Sequence, residues 1–134
     1  MGDAKRTIVA VDFDGILCED KFPEIGRPKY EMISFVREMQ DAGVEVILWT
    51  SRIGDKLREA VEWCEDRGLH FTSVNTNSPS NLEEYKTDPR KIYADIYIDD
   101  HTPFYQHAVG LKTNADLTLI DRTIEALQRR GVEI

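Results

Sequence analysis

Ile8-Val9-Ala10-Val11-Asp12-Phe13-Asp14-Gly15 begins with four apolar residues, three of them β-branched, and breaks off at Asp-Phe-Asp-Gly. Such a run, apolar at every position, reads as a strand buried on both faces, the habit of strands inside a parallel sheet. Outward from it, Met32, Phe35, Val36 and Met39 recur at helical spacing and predict a helix over 28–42, with Pro28 in its first turn and Gly43 just past its end. Val44 to Trp49 is a second apolar run, stopped by Thr50-Ser51-Arg52. Leu57, Ala60, Val61 and Cys64 share one face of a helix over 55–67, closed by Gly68. A short strand is expected over 69–74, a polar surface loop over 75–89 with Pro79 and Pro89 as breakers, a strand over 94–98, and a last helix over 117–130. Ala108 to Leu111 reads as a fifth strand.

The alternation of strands and helices predicts an α/β fold, a parallel sheet with helices on both faces, because each parallel pair needs a crossover connection. At 134 residues the chain is expected to form one domain over 1–134, with enough core to need no disulfide. Hydrophobic residues make up 41% and charged residues 31%, with no long apolar run, which excludes a membrane span and a disordered chain. Met1 to Arg6 run almost directly into the first strand, so no secretory signal is expected and the expected location is cytoplasmic. Cys18 and Cys64 lack metal-ligand spacing and read as core thiols. The net charge of −8 disfavours a nucleic acid backbone as partner.

In a parallel sheet of this kind ligands gather at the carboxyl ends of the strands. Those ends are Asp12, Thr50, Asn75 and Asp99, and each is polar. Asp12, Asp14, Asp99 and Asp100 would then crowd together. At about 4 Å and an effective dielectric near 20, each like-charged pair costs on the order of 4 kcal/mol, so a cation is expected among them. Oxygen donors favour a hard ion, and Mg2+ fits best. Turn and helix-cap roles account for one or two aspartates but not for their placement beside a threonine.

Val11 to Gly15, Ile47 to Arg52, Lys91 and Ile98 to Asp100 resemble, in order, the four motifs of the haloacid dehalogenase-like (HAD) superfamily, and the match spans Ile8 to Asp100. The resemblance implies a three-layer Rossmann-like fold and a Mg2+-dependent phosphatase. It implies Asp12 as the nucleophile that becomes an aspartyl-phosphate, and Asp14 as acid and then base. Thr50 and Ser51 would hold phosphate oxygens, and Lys91 would neutralise the phosphate. The metal would take Asp12, the Asp14 carbonyl and the Asp99-Asp100 pair, Asp100 directly and Asp99 in support. Lys91 is preferred to Lys86 because it directly precedes the strand that delivers Asp99. Ile16 departs from the threonine often found there in the superfamily, while Asp14 favours phosphate chemistry over dehalogenation.

Arg52, Asn75 and Asn77 read either as substrate contacts or as solvated loop residues, and His70, His101 and His107 as surface or core histidines. A phosphoacceptor receiver domain uses similar residues, but its acidic pair ends the first strand, whereas here the pair comes last. A HAD-like domain kept as a phosphate-ligand binding or scaffold module is the other alternative. The spans from Asp12 to Thr50 and from Thr50 to Lys91 are filled by the expected elements, so no cap domain is expected and only the segment from Glu19 to Arg27 is available as a flap. The open site suits a phosphorylated small molecule, an exposed phosphate on a larger substrate, or a roof supplied by a neighbouring copy in a homo-oligomer.

Overall fold

Val9 and Val11 are fully buried, as a strand with both faces covered requires, and β1 (Ile8–Val11) lies inside a parallel sheet. In the computed structural model, which describes residues 6–134, β1 pairs with β4 (Glu45–Leu48) on one side and β6 (Ile96–Ile98) on the other. β5 (Ser73–Val74) adds beyond β4, giving the order β5-β4-β1-β6. Residues 1–5, on which the expectation of no secretory signal rests, lie outside the described residues.

Val9, Val11, Val46 and Leu48 face a core filled by α1 (Tyr30–Asp41), α2 (Gly54–Glu65), α4 (Pro103–Gly110) and α5 (Ala115–Arg129). Ile8, Ala10 and Ile47 face the other way and are covered by Ile92 and Ala94 from the connection that also carries α3 (Pro79–Tyr85). Right-handed crossovers explain the split: β1 to β4 to β5 runs one way across the sheet, and the return to β6 runs the other. The fold is thus α/β, three-layered and Rossmann-like. No helix among the described residues is long and apolar enough to cross a membrane.

Several boundaries differ from the sequence expectation. The segment over 75–89 holds α3, because Pro79 occupies the first helical turn, where no backbone donor is lost, and Ser78 caps it. Ala108 to Leu111 is no strand. It closes α4, which Thr102 caps. α1 starts at Tyr30 because Pro28 still belongs to the strand before it, and α5 starts at Ala115 behind the Asn114 cap.

The expected flap is an antiparallel hairpin of β2 (Cys18–Lys21) and β3 (Glu24–Pro28). Its charged, exposed residues hide the alternation that marks a strand. Gly26 is needed there, since a Cβ would lie 2.2 Å from the Glu19 carbonyl oxygen. Neither connection holds a cap: β1 to β4 carries the hairpin and α1, and β4 to β6 carries α2, β5 and α3.

Candidate active site at the carboxyl edge of the sheet

Beyond β1 the ladder continues for one residue on each side, with Asp12 N donating to the Ile98 carbonyl at 3.0 Å and Trp49 N to that of Val11 at 2.8 Å. This places Asp12 between the loops after β4 and β6. The chain then turns through one helical turn, Leu17 N donating to the Phe13 carbonyl at 2.9 Å. Gly15 sits at φ +89, and a Cβ there would lie 2.2 Å from Asp100 Oδ2. Only glycine permits both the backbone and the approach of that carboxylate. Lys29 braces the turn from behind: its Nζ donates to the Gly15 carbonyl at 2.8 Å and pairs with Asp116 at 3.3 Å.

Single ligand atoms from Asp12, Asp99, Asp100 and His101 all lie within 4.8 Å of one another. Asp99 Oδ1 accepts the His101 N–H at 2.8 Å, and the His101 imidazole lies 3.6 Å from both Asp99 and Asp100. Asp100 Oδ1 is buried with no hydrogen-bond partner, an uncompensated acceptor of the kind a cation satisfies. Burial pushes the Asp12 carboxyl from its ordinary 3.8 up to about 7; the Phe13 N–H opposes this, and the charges of Asp99, Asp100 and Asp14 add to it. Burial likewise raises Asp100. These donors, three carboxylates and an exposed imidazole, fit a hard divalent ion such as Mg2+.

A cleft of about 300 Å3 opens over the cluster, walled by Asp20, Trp49, Thr50 and Ser51 beside Asp12, Asp14 and Asp99. Thr50 is held at its amide by Asn75 Oδ1 (2.8 Å), and its hydroxyl accepts from Arg52 N at 3.1 Å, leaving the hydroxyl proton free to donate. Asn75 manages this in a left-handed conformation (φ 56), which asparagine tolerates.

Among solved structures, that of a conserved protein coded by a locus of Bacteroides thetaiotaomicron is similar: 34% identical, with a TM-score of 0.66, over 84% of this chain and 97% of that one. The chain belongs to the same family. No protein-family model and no curated protein matches it. In this member of the family the sequence-predicted residues Asp12, Asp14, Thr50, Ser51, Asp99 and Asp100 come together at one edge.

Lys91 does not join them. It is exposed, two residues before Tyr93, whose amide donates to Asn77 Oδ1, and the adjoining Ser78 bonds Glu45 at the start of β4, on the opposite edge of the sheet. Lys86 is likewise remote, paired with Glu83 on the surface. Among the described residues that line the cleft, none is a lysine or arginine. Asn77 is a buried brace for the segment before β6, bonding Asp88, Pro89 and Tyr93, and Asn75 supports Thr50.

Arg52 is 1% exposed and grips both oxygens of Asp14 at 2.8 Å, and Asp14 is not among the carboxylates that converge within 4.8 Å, although it lines the same cleft. His101 was legible only through its place beside Asp99-Asp100, because histidine ligand spacing was absent.

The raised Asp12 carboxyl sets a pH dependence. Its proton is held more tightly in the folded chain than in the unfolded one, so the penalty for ionising it is absent below 3.8, grows with pH and is complete above about 7. Without divalent cation, Asp12 should therefore make the melting temperature fall between about pH 4 and about pH 7, and Mg2+ should raise it more at the higher pH. Scanning calorimetry of wild type against Asp12→Asn checks this. Asp12→Asn should flatten both trends.

Proposed function

We propose that the chain is a Mg2+-dependent phosphohydrolase of the HAD type, acting through an aspartyl-phosphate on Asp12. The observation that carries this is the meeting of Asp12, Asp99 and Asp100 at one sheet edge, where Asp12 and Asp99 share a single open cleft with Thr50 and Ser51. Asp12 Oδ1 accepts the Phe13 N–H at 2.8 Å, which orients the carboxylate and leaves Oδ2 for attack on phosphorus. As the Asp12 oxygen bonds to phosphorus, the bond to the leaving oxygen breaks and Asp14 supplies that oxygen with a proton. Water then attacks the phosphoryl group, gives its proton to Asp14, and frees Asp12 and inorganic phosphate. The Thr50 hydroxyl and Ser51 amide hold the phosphoryl oxygens.

Asp12, Asp99, Asp100 and the Asp14 carbonyl would hold Mg2+, with Asp100 Oδ1 the free buried donor and His101 alongside. Bound there, Mg2+ supplies the charge neutralisation that phosphoryl transfer requires. It carries that load without Lys91. Lys91→Ala should accordingly change kcat/KM for a simple aryl phosphate by less than about threefold, where removal of a charge-stabilising group costs about 10²-fold or more. A loss of the larger size, with the fold intact, would return the lysine to the site.

The absence of Lys91 from the cleft and the engagement of Asp14 by Arg52 favour one second reading, a weak or inactive domain that binds a phosphate ligand. The two separate on one assay, affinity for phosphate esters with or without phosphate release. The substrates are a phosphorylated small molecule or an exposed phosphate on a larger one, since the cleft has no cap. A second copy as its roof makes activity depend on protein concentration, which sedimentation and dilution assays measure together.

A further inference from the structure

Among the described residues Arg52 is the largest fully buried side chain, and it carries a permanent charge. A guanidinium is buried only where its donors are met, and here they are shared between two parts of the site. Nε and Nη2 grip the two Asp14 oxygens, both at 2.8 Å. Nη2 also donates to the Glu24 carbonyl at 2.9 Å and Nη1 to that of Pro23 at 3.4 Å, both at the tip of the β2 and β3 hairpin. Its guanidinium carbon lies 5.1 Å from the centre of the Phe13 ring in the core and 5.0 Å from that of Phe22 on the hairpin. Asp20, on the same hairpin, lines the cleft.

We propose that Arg52 is a positioning residue that couples the hairpin to Asp14, so that the hairpin's position sets whether the Asp14 carboxylate is parked or free to serve the leaving group. The inference rests on the phosphohydrolase reading for the role of Asp14, but the coupling itself does not. With the hairpin closed, both Asp14 oxygens are occupied by Arg52. To reach a leaving oxygen, one of them must let go. Lifting the hairpin removes two carbonyl acceptors and the Phe22 ring from Arg52 and opens the pair to water, which loosens its hold on Asp14. A substrate that meets Asp20 displaces the arm that controls the acid.

The test uses the full chain with Mg2+ and four variants: Arg52→Met, Arg52→Lys, Asp14→Asn and Phe22→Ala. Amide hydrogen exchange over residues 18–28 reads the hairpin, and kcat/KM reads every step up to release of the alcohol. Arg52→Met and Asp14→Asn should each speed hairpin exchange at least about tenfold while β1 and β4 stay protected. Arg52→Met should also slow an alkyl phosphate, whose leaving oxygen needs a proton, at least about tenfold more than p-nitrophenyl phosphate, whose leaving group does not. Arg52→Lys should recover part of both effects. Phe22→Ala should loosen the hairpin without that leaving-group dependence.

Unchanged hairpin exchange in Asp14→Asn and Arg52→Lys alike would overturn the coupling even if Arg52→Met fails to fold. Equal slowing of both esters would reduce Arg52 to a structural brace. If wild type releases phosphate neither from these esters nor from any of a panel of phosphorylated metabolites and nucleotides, the phosphohydrolase reading fails. The exchange experiment then still decides the coupling.

Discussion

Asp12→Asn should remove phosphate release, by at least about a thousandfold, while the chain stays folded. The amide keeps the shape of the carboxylate and an oxygen for the Phe13 N–H, so the turn after β1 has no reason to move. It removes the proposed nucleophile and one charge from a cluster whose members already raise one another's carboxyls. The same variant should therefore melt at or above the wild-type temperature in the absence of divalent cation. Loss of activity with gain of apo stability marks a site built for chemistry at the expense of stability. Turnover within tenfold of wild type would end the nucleophile assignment.

Removal of divalent cation should have an effect of similar size. With excess chelator, phosphate release should fall to background, and restoring Mg2+ to about 100 times its dissociation constant should raise the melting temperature by on the order of 8 °C. Asp100→Ala should blunt that response more than Asp99→Ala. Asp100 Oδ1 is buried and unpartnered, whereas Asp99 is already engaged by the His101 amide. His101 is exposed and should matter less than either. Titration calorimetry on the variants measures the order directly, without substrate.

The layered fold and the edge where the carboxylates meet were legible because they rest on local signals. Ile8 to Val11 and Val46 to Trp49 are unbroken apolar runs, and each stops at a polar residue, Asp12 or Thr50, that the parallel register places at one edge. α3 was hidden because Pro79 looks the same in a sequence whether it breaks a chain or starts a helix. The β2 and β3 hairpin was hidden because only Cys18 and Ile25 of this surface ribbon turn apolar side chains to the core, too few to show an alternation.

Arg52 and Lys91 show the harder limit. A charged residue in a loop is solvated unless distant groups meet its donors, and those of Arg52 are met by Asp14 and the hairpin, 38 and 28 positions away in the chain. Lys91 was assigned from the order of motifs. Its true place follows from Asn77, which bonds Asp88, Pro89 and Tyr93 and so holds that segment at the far edge of the sheet. A residue that closely precedes a parallel strand lies near that strand's amino end, the edge away from the carboxylates, unless the chain between them reaches back across the sheet.

The most direct measurement is release of inorganic phosphate from a panel of phosphorylated metabolites and nucleotides, run with Mg2+ and with excess chelator, alongside mass spectrometry of the protein trapped during turnover. The proposed function predicts Mg2+-dependent release from at least one ester and a phosphoryl group trapped on Asp12. Esters that bind the cleft and leave it unhydrolysed, with no phosphoryl group on Asp12, would contradict it.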